Sequence, residues 1–248
     1  DNFNIMTDSV KDREEKLLES NEEMKRVNKE LEAFSYSVSH DLRAPLRYVV
    51  GFSEALKEDC SDNLDELGKS YIKKICASAK DMGMLINDIL KLSRVTRGEL
   101  NKKKIDLSKM VNSIFDYFQK ENPERNVKVK VQNDVFAFAD ENLIRVALEN
   151  LIGNSWKFTG KEEKGKIEFG VKKENGQRVF YIRDNGAGFD SEYAHMIFEP
   201  FQRLHKSTEF EGTGIGTSLV KRVISRHGGK IWAEGQIGIG AAFYFTLK

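Results

Sequence analysis

The sequence is poor in cysteine and proline and has no long apolar run. Only two of its 248 residues are cysteine and three are proline, and Cys60 and Cys76 lack the spacing of a metal or redox pair. This composition excludes a disulfide-stapled secreted domain and favours a reducing cytoplasmic environment. No apolar stretch approaches membrane-spanning length, and no signal peptide opens the chain.

The sequence also lacks an excess of charge of either sign, because the formal net charge is only +1. We therefore expect no nucleic-acid partner. Charged residues make up 32% of the chain and hydrophobic residues 40%, which is typical of a globular protein with well-solvated helices. The length suits one large domain or two modest ones.

The first 60 residues carry a long helical pattern that lacks proline and glycine over 8–36. Its apolar residues recur every seven positions, with two more in between: Val10, Leu17, Met24, Leu31 and Val38, then Val27 and Phe34. This spacing predicts a dimeric coiled coil, and one amphipathic helix packed on its own domain is the alternative.

Two further apolar stripes, separated by the polar stretch Glu58–Asn63, predict a helical hairpin. Their members are Leu42, Leu46, Val49, Phe52 and Leu56, then Leu64, Leu67, Tyr71, Ile75, Met82, Leu85, Ile89 and Leu92. One hairpin cannot bury both stripes, whereas two hairpins bury them as a four-helix bundle. We therefore expect a homodimer.

The pattern changes after the segment Arg97–Glu99, which we interpret as a hinge. Helices are then expected at Leu107–Phe118, Asn142–Phe158 and Ser218–Arg226, and strands at Val127–Val131, Lys166–Val171, Val179–Arg183, Lys230–Ala233 and Ala242–Leu247. This alternation predicts an α/β sandwich. The fold class is therefore α+β, with a linker and coiled-coil helix at 1–33, a dimerising hairpin at 34–98 and a sandwich domain at 99–248.

His40 is the first candidate catalytic residue. At 100° per residue it lies about 160° from Leu42, so it points away from the apolar seam into solvent. Asp41 could hold the proton on Nδ1 and leave Nε2 free to attack phosphorus, and Arg43 could steady transferred phosphate. Pro45 removes a helical hydrogen bond and predicts a local bend. A surface histidine that happens to precede a proline is the alternative.

Three polar residues in a helical pattern predict a metal and phosphate site. Asn150, Asn154 and Lys157 are spaced so that they share one helix face. Amide oxygens suit Mg²⁺, and a lysine on the same face can reach phosphate. A plain polar helix face is the alternative, but neighbouring apolar residues indicate that the helix is largely buried, where amides need partners.

Two glycine-rich segments suit a nucleotide. In Asp184–Gly188, Asp184 could accept a hydrogen bond from an adenine amino group, while Gly186 and Gly188 let the backbone approach the base; a plain turn is the alternative. The loop Gly212-Thr213-Gly214-Ile215-Gly216 opens a helix and offers free N–H groups to phosphate. It matches neither a Walker A loop nor a dinucleotide fingerprint.

The segment Ile197–His205 contains aromatic residues that could anchor a loop, and Arg203 could point its charge toward phosphate. The polar stretch Lys206–Glu211 predicts a mobile lid, with an ordinary helix end as the alternative. We interpret His195 and His227 as surface or packing residues.

Together these segments resemble, in order and spacing, histidine kinases that join a HisKA phosphoacceptor domain to a GHKL-type ATP-binding domain. Phe201–His205, Trp232–Gly235 and Gly240–Thr246 look most like the phytochrome-associated branch linked to PAS and GAF sensors. The resemblance implies a protein-histidine kinase that uses ATP and Mg²⁺, phosphorylates His40 and passes the phosphate to an aspartate of a response-regulator receiver domain.

The resemblance also assigns roles residue by residue. His40 matches the phosphoacceptor and Asp41 the acidic residue that orients it. The other matches are Asn150 and Asn154 for Mg²⁺ and phosphate, Lys157 and Arg203 for phosphate, Asp184 for adenine, and Gly186, Gly188, Gly212, Gly214 and Gly216 for the glycine boxes, with Thr213 and Ile215 between them. Because the chain opens at Asp1 within a polar stretch, we expect a PAS- or GAF-like sensor before it, in a protein that is either soluble or membrane-attached.

Three positions depart from the family pattern. Ala44 stands where members with strong phosphatase activity carry Thr or Asn, which predicts weak phosphatase activity. Thr217-Ser218 replaces the usual Leu-Ala, which predicts looser packing and weaker ATP binding, and Phe158 replaces a common Tyr.

Three other functions remain open: a degenerate kinase that acts as a conformational scaffold, a GHKL-type clamp ATPase, and a serine kinase of the anti-sigma type. The clamp ATPases use a Glu where this chain has Asn150, and the segment around His40 argues against the serine kinase.

Overall fold

The computed structural model describes residues 2–60, 64–95, 99–205 and 209–248, with the exposure of some side chains in the first helix left undescribed. The chain divides into two compact units, Asp1–Arg94 and Val95–Lys248. Most of the predicted hinge lies outside the described residues. Within the described part, no helix combines the length and the apolarity needed to cross a membrane.

The first unit is a helical hairpin, as the two apolar stripes predicted. Helix α1 spans Asn2–Asp59 and helix α2 spans Glu66–Arg94. Asp65 caps the start of α2, because its side chain accepts a hydrogen bond of 2.7 Å from the N–H of Gly68. Helix α1 continues through Pro45, and the expected bend there stays a prediction.

Helix α2 has two apolar faces, and the hairpin buries only one of them. On α2 the buried face consists of Ile72, Ala79, Ile86 and Leu90. The predicted stripes lie mainly elsewhere and are open to solvent in the single chain: Leu42, Val49, Phe52, Leu56, Leu67, Tyr71, Ile75 and Met82 are all exposed. This exposed face is what a second hairpin would cover.

The predicted coiled-coil seam falls largely outside the described side chains. Helix α1 does run through the whole region. Val27 and Val38 are exposed, but the side chains of the other predicted seam positions lie outside the described residues. The coiled coil therefore stays a prediction.

The second unit is an α/β sandwich. Its strands are β1 (Lys102–Asp106), β2 (Val127–Val131), β3 (Phe136–Asp140), β4 (Gly165–Glu174), β5 (Gln177–Asp184), β6 (Ile231–Gln236) and β7 (Gly240–Phe245). Its helices are α3 (Leu107–Glu121), α4 (Glu141–Phe158) and α5 (Gly216–Arg226), with short 3₁₀ turns at Ser191–Tyr193 and Met196–Phe198. The five-stranded sheet has the order β2-β4-β5-β7-β6, with only β2 and β4 parallel, and β1 pairs with β3 in a separate sheet.

The core of this unit lies between the helices and the five-stranded sheet. Large, fully buried side chains come from both layers, including Leu148 and Ile152 on α4 and Phe169 and Ile182 on the sheet. Helix α4 is capped by Asp140, whose carboxylate accepts hydrogen bonds from the first backbone N–H groups of the helix. The cap and the buried face fix α4, which carries three predicted site residues.

Candidate functional site

His40 is exposed on α1, as its position around the helix predicted. Its side chain is 74% exposed, and Nδ1 lies 3.3 Å from Oδ1 of Asp41. Nε2 can therefore face solvent while Asp41 holds the other ring nitrogen. Arg43 donates a hydrogen bond of 3.3 Å to Asn87 Oδ1 on α2, so its guanidinium is engaged within the hairpin.

The second unit contains a cavity of about 840 Å³, a volume that includes the solvent at its open side. Most of the predicted nucleotide-site residues converge on it: Asn154, Lys157, Gly188, Arg203, Gly212, Thr213, Gly214 and Gly216 all line its wall. The remaining wall is largely apolar, with Phe158, Phe189, Ile197 and Phe210 among its members. An apolar cavity with a few convergent polar groups is typical of a small-molecule site.

Asn150 does not line the cavity, but its amide faces the loop that does. Its Nδ2 donates a hydrogen bond of 2.8 Å to the carbonyl of Val146. Its Oδ1 lies 2.6 Å from the position that a Cβ on Gly216 would take. The amide oxygen is thus held toward the start of α5, one turn from Asn154. Oxygen atoms in this setting fit a hard cation such as Mg²⁺, which usually takes its other ligands from phosphate and water.

Lys157 lies at the cationic end of the cavity. The pKa of Lys157 is lowered to about 8, mainly by burial and also by the positive charge of Arg203, while the charge of Glu211 opposes the shift. A Cβ on Gly212 would come within 3.2 Å of Lys157 Nζ, so the ammonium group of Lys157 lies against the glycine loop. Helix α5 begins beyond this loop at Gly216 without a side-chain cap. Two cations beside an uncapped helix start are suited to an anion.

Asp184 is buried at the end of β5 and is not among the residues that line the cavity. Oδ2 accepts a hydrogen bond of 2.8 Å from Ser155 Oγ, and Oδ1 accepts one of 3.0 Å from the N–H of Gly186 and one of 3.4 Å from that of Ala241. Burial raises the pKa of Asp184, and these three donors oppose the rise. Ala241 itself lines the cavity.

The glycines of the first glycine segment are required by the protein's own packing. A Cβ on Gly186 would come within 2.5 Å of the carbonyl oxygen of Phe158. Gly188 has a φ of +64°, and a Cβ there would collide with the carbonyl of Gln236. The expected reason, space for an approaching base, is therefore incomplete, because protein backbone already occupies the Cβ positions.

Ile215 differs from the other residues of the second glycine loop. Its side chain is completely buried in the core, so only its backbone could contact a nucleotide. Its N–H lies 3.4 Å from Thr213 Oγ1. Thr217 and Ser218, the family departures, are buried, and their hydroxyls donate to the carbonyls of Ile197 and Ile215. The structure thus gives both hydroxyls acceptors, while their effect on ATP affinity stays a prediction.

The predicted lid is anchored on both sides by contacts that the sequence did not reveal. Arg203 donates a hydrogen bond of 2.6 Å to the carbonyl of Phe210. The ring of His205 packs on Phe158 and Phe210, and its Nε2 lies 2.8 Å from the carbonyl oxygen of Gly188. Residues 206–208 lie outside the described part, so the lid itself stays a prediction.

His195 and His227 have the packing and surface roles that were expected. His195 is exposed, and its Nδ1 lies 3.1 Å from the carbonyl oxygen of Glu192. His227 is 1% exposed, with Nε2 3.0 Å from the N–H of Asp140 and Nδ1 2.8 Å from the carbonyl oxygen of Val223.

Comparison with known families gives two adjacent matches. Residues 30–98 match the family described as the His Kinase A (phospho-acceptor) domain. Residues 139–248 match the family of histidine kinase-, DNA gyrase B-, and HSP90-like ATPases.

Among curated proteins, the chain is 36% identical over 237 residues to cyanobacterial phytochrome B of Nostoc sp., across 94% of this chain and 31% of that protein. The chain spans between 29% and 31% of the length of this relative and two similar ones. It is therefore similar to one part of longer proteins.

Two solved structures share the fold over most of the chain. A crystal structure of full-length ShkA in complex with AMPPNP covers 86% of this chain and 45% of its own length, with a TM-score of 0.62 and 26% identity. The histidine kinase ThkA in complex with the response regulator protein TrrA also covers 86% of this chain and 60% of its own, with a TM-score of 0.59. At 24% identity, the second likeness concerns the fold alone.

Proposed function

The chain belongs to the sensor histidine kinases, whose phosphoacceptor and ATP-binding domains it carries, and from this premise we propose that it transfers the γ-phosphate of ATP to His40. The phosphate then passes to an aspartate of a response-regulator receiver domain. The single observation that carries the proposal is the exposed imidazole of His40, with Nδ1 beside the Asp41 carboxylate. The second unit of the same chain has a cavity lined by the cationic side chains of Lys157 and Arg203.

The transfer to His40 is a substitution at phosphorus. Nε2 of His40 forms a bond to the γ-phosphorus while the bond to the bridging oxygen breaks, and ADP leaves with that oxygen. The ring becomes positively charged as this happens, because Nδ1 keeps its proton. Asp41 stabilises that charge and holds the ring in the tautomer that leaves Nε2 unprotonated.

The cavity residues would bind and orient the nucleotide. Lys157 and Arg203 would neutralise phosphate charge, and Asp184 would accept a hydrogen bond from the adenine amino group. Asn150 and Asn154 supply amide oxygens of the type that Mg²⁺ accepts, and the ion would add charge neutralisation on the phosphates. A GHKL-type ATPase needs a base to activate water. Asn150 cannot serve as one, so hydrolysis to free phosphate should be slow.

A homodimer is the assembly that the hairpin favours. The exposed apolar groove lined by Leu42, Leu46, Val49, Ile75 and Met82 would be covered by a second hairpin, which gives the four-helix bundle. We also propose the three-part division at residues 1–33, 34–98 and 99–248. The receiver-domain partner is supported by the match of residues 30–98 to the phospho-acceptor domain of histidine kinases.

Labelled ATP tests the proposed function directly. With Mg²⁺, the chain should acquire base-stable, acid-labile phosphate, as expected for a phosphohistidine, and mass spectrometry should locate it on His40. His40→Gln should abolish the label, whereas His195→Gln, which removes another exposed histidine, should keep it. A degenerate kinase would acquire no label in either case, and label that survives in His40→Gln would contradict the proposal.

A further inference from the structure

Ser155 holds the buried carboxylate of Asp184 in one orientation. Ser155 has no exposed surface, and its hydroxyl donates a hydrogen bond of 2.8 Å to Asp184 Oδ2. The other oxygen, Oδ1, accepts from the backbone N–H groups of Gly186 and Ala241 at 3.0 and 3.4 Å. Two backbone donors therefore fix one oxygen, and a single side-chain hydroxyl fixes the other.

This hydrogen bond connects two elements that lie far apart in sequence. Ser155 lies on α4 directly after Asn154, and Asp184 ends β5. Helix α4 also carries Lys157, which lines the anion end of the cavity. The Ser155 hydroxyl thus links the Asp184 carboxylate to the helix that also carries Lys157, the proposed phosphate contact. The distance between the carboxylate and the Lys157 side chain is therefore set by one rigid helix.

We propose that Ser155 is the positioning residue that keeps Asp184 an oriented hydrogen-bond acceptor and thereby sets the preference for adenine over guanine nucleotides. The inference rests on the proposed function, in which Asp184 meets the base. Adenine presents an amino group, a donor, where guanine presents a carbonyl oxygen, an acceptor. An ionised carboxylate only accepts hydrogen bonds, so it pairs with the adenine amino group and repels the guanine carbonyl oxygen.

Loss of the Ser155 hydroxyl should weaken this discrimination in two ways. The carboxylate loses the Ser155 donor on Oδ2 and gains rotational freedom, so it becomes a poorer acceptor for the amino group. A buried carboxyl with fewer donors also holds a proton more readily. A protonated carboxyl can donate to the guanine carbonyl, which removes the penalty against guanine.

A purely structural role would have a different signature. Ser108 provides the matched control, because it is also a buried serine of the second unit whose hydroxyl donates to the carbonyl of Gln132 and accepts from the N–H of Val135. Ser108→Ala removes the same atoms and should lower the thermal stability. It should leave nucleotide selectivity unchanged, since Ser108 contacts neither the cavity nor Asp184.

The experiment measures ADP and GDP binding by calorimetry for the whole chain, the Ser155→Ala variant and the Ser108→Ala variant. Ser155→Ala should weaken ADP binding about tenfold, as expected for one lost hydrogen bond, with GDP binding equal or stronger. In kinase assays its KM for ATP should rise while kcat at saturating ATP stays close to the wild-type value. Ser108→Ala should keep the wild-type ratio of ADP to GDP affinity.

The possible results separate this inference from the proposed function. A wild-type chain that binds neither nucleotide would overturn both. A wild-type chain that prefers ADP, with the same preference in Ser155→Ala, would overturn the role of Ser155 alone. If Ser155→Ala does not fold, Ser155→Cys decides, because a thiol is a weaker donor of similar size. A reduced ADP preference in that variant supports the inference, and an unchanged preference overturns it.

Discussion

Lys157 and Arg203 place two positive charges in one cavity, and the charge of Arg203 contributes to a pKa of about 8 for Lys157. Burial is the larger cause. Two like charges near each other are unfavourable until an anion joins them. A bound triphosphate would offset both the repulsion and the loss of hydration, so the pKa of Lys157 should rise when a nucleotide binds.

Proton uptake on nucleotide binding follows from this relationship. Near pH 8, about half of the Lys157 side chains are neutral in the free chain, so ATP binding should take up roughly half a proton. Calorimetry in two buffers of different ionisation enthalpy measures the uptake. Lys157→Arg is the matched control, because arginine stays charged and should show no such uptake. Equal uptake in both proteins would assign the proton to another group.

Three residues of the site could be predicted from helical spacing, because they lie on one element. Asn150, Asn154 and Lys157 needed only the period of α4. Ser155 was missed because its partner, Asp184, lies 29 residues further along the chain. Only the packing of α4 against the end of β5 brings the two together, and no spacing rule encodes that contact.

Strands β1 and β3 were not predicted, because their residues lack the alternation that is typical of a strand. In β3 the small residues Ala137 and Ala139 face the core, whereas Phe138 is 63% exposed. The larger apolar residue therefore marks the wrong face, and the alternation that signals a strand is reversed. Strand β1 contains three successive lysines and only one buried residue, Ile105, so it lacks an alternating pattern altogether.

The contact between His40 and Asp41 predicts that removal of the Asp41 charge lowers the rate of autophosphorylation. Asp41→Asn keeps the shape of the side chain but removes the charge that stabilises the phosphorylated ring. The pair is exposed and 3.3 Å apart, so we expect the low end of the usual range for acid–base groups, a decrease of roughly tenfold to hundredfold in the autophosphorylation rate. Glu54→Gln, an exposed change on the same helix, should leave the rate unchanged. Equal rates for wild type and Asp41→Asn would contradict the assigned role.

Ala44 predicts slow removal of phosphate from the partner receiver domain. It lies one turn after His40 on the same exposed side of α1 and has no group that could orient water. Ala44→Thr should accelerate dephosphorylation about tenfold with little change in autophosphorylation. Ala44→Val has the shape of threonine without the hydroxyl and should match the wild type. Rapid dephosphorylation by the wild-type chain would refute this expectation.

We expect His227 to make the stability of the ATP-binding domain dependent on pH. Burial lowers the pKa of His227 below its ordinary value of 6.5, partly opposed by the carbonyl of Val223. The neutral ring bonds on both sides: Nδ1–H donates to that carbonyl, and Nε2 accepts from the N–H of Asp140, the residue that caps α4. Protonation of Nε2 would replace the second hydrogen bond by a repulsion between two donors.

Thermal or urea unfolding between pH 7.5 and 5 measures this effect. Because the folded pKa is lower than the unfolded one, the unfolded chain binds the extra proton. The contribution is therefore complete above about pH 6.5 and is lost as the pH falls, by at most about 1.4 kcal/mol per pH unit. His227→Gln removes the titrating ring, so its unfolding free energy should be lower at pH 7.5 and should decrease less toward pH 5. His195→Gln, at an exposed histidine, should keep the wild-type pH dependence, and a profile for His227→Gln that parallels the wild type would exclude His227 as its source.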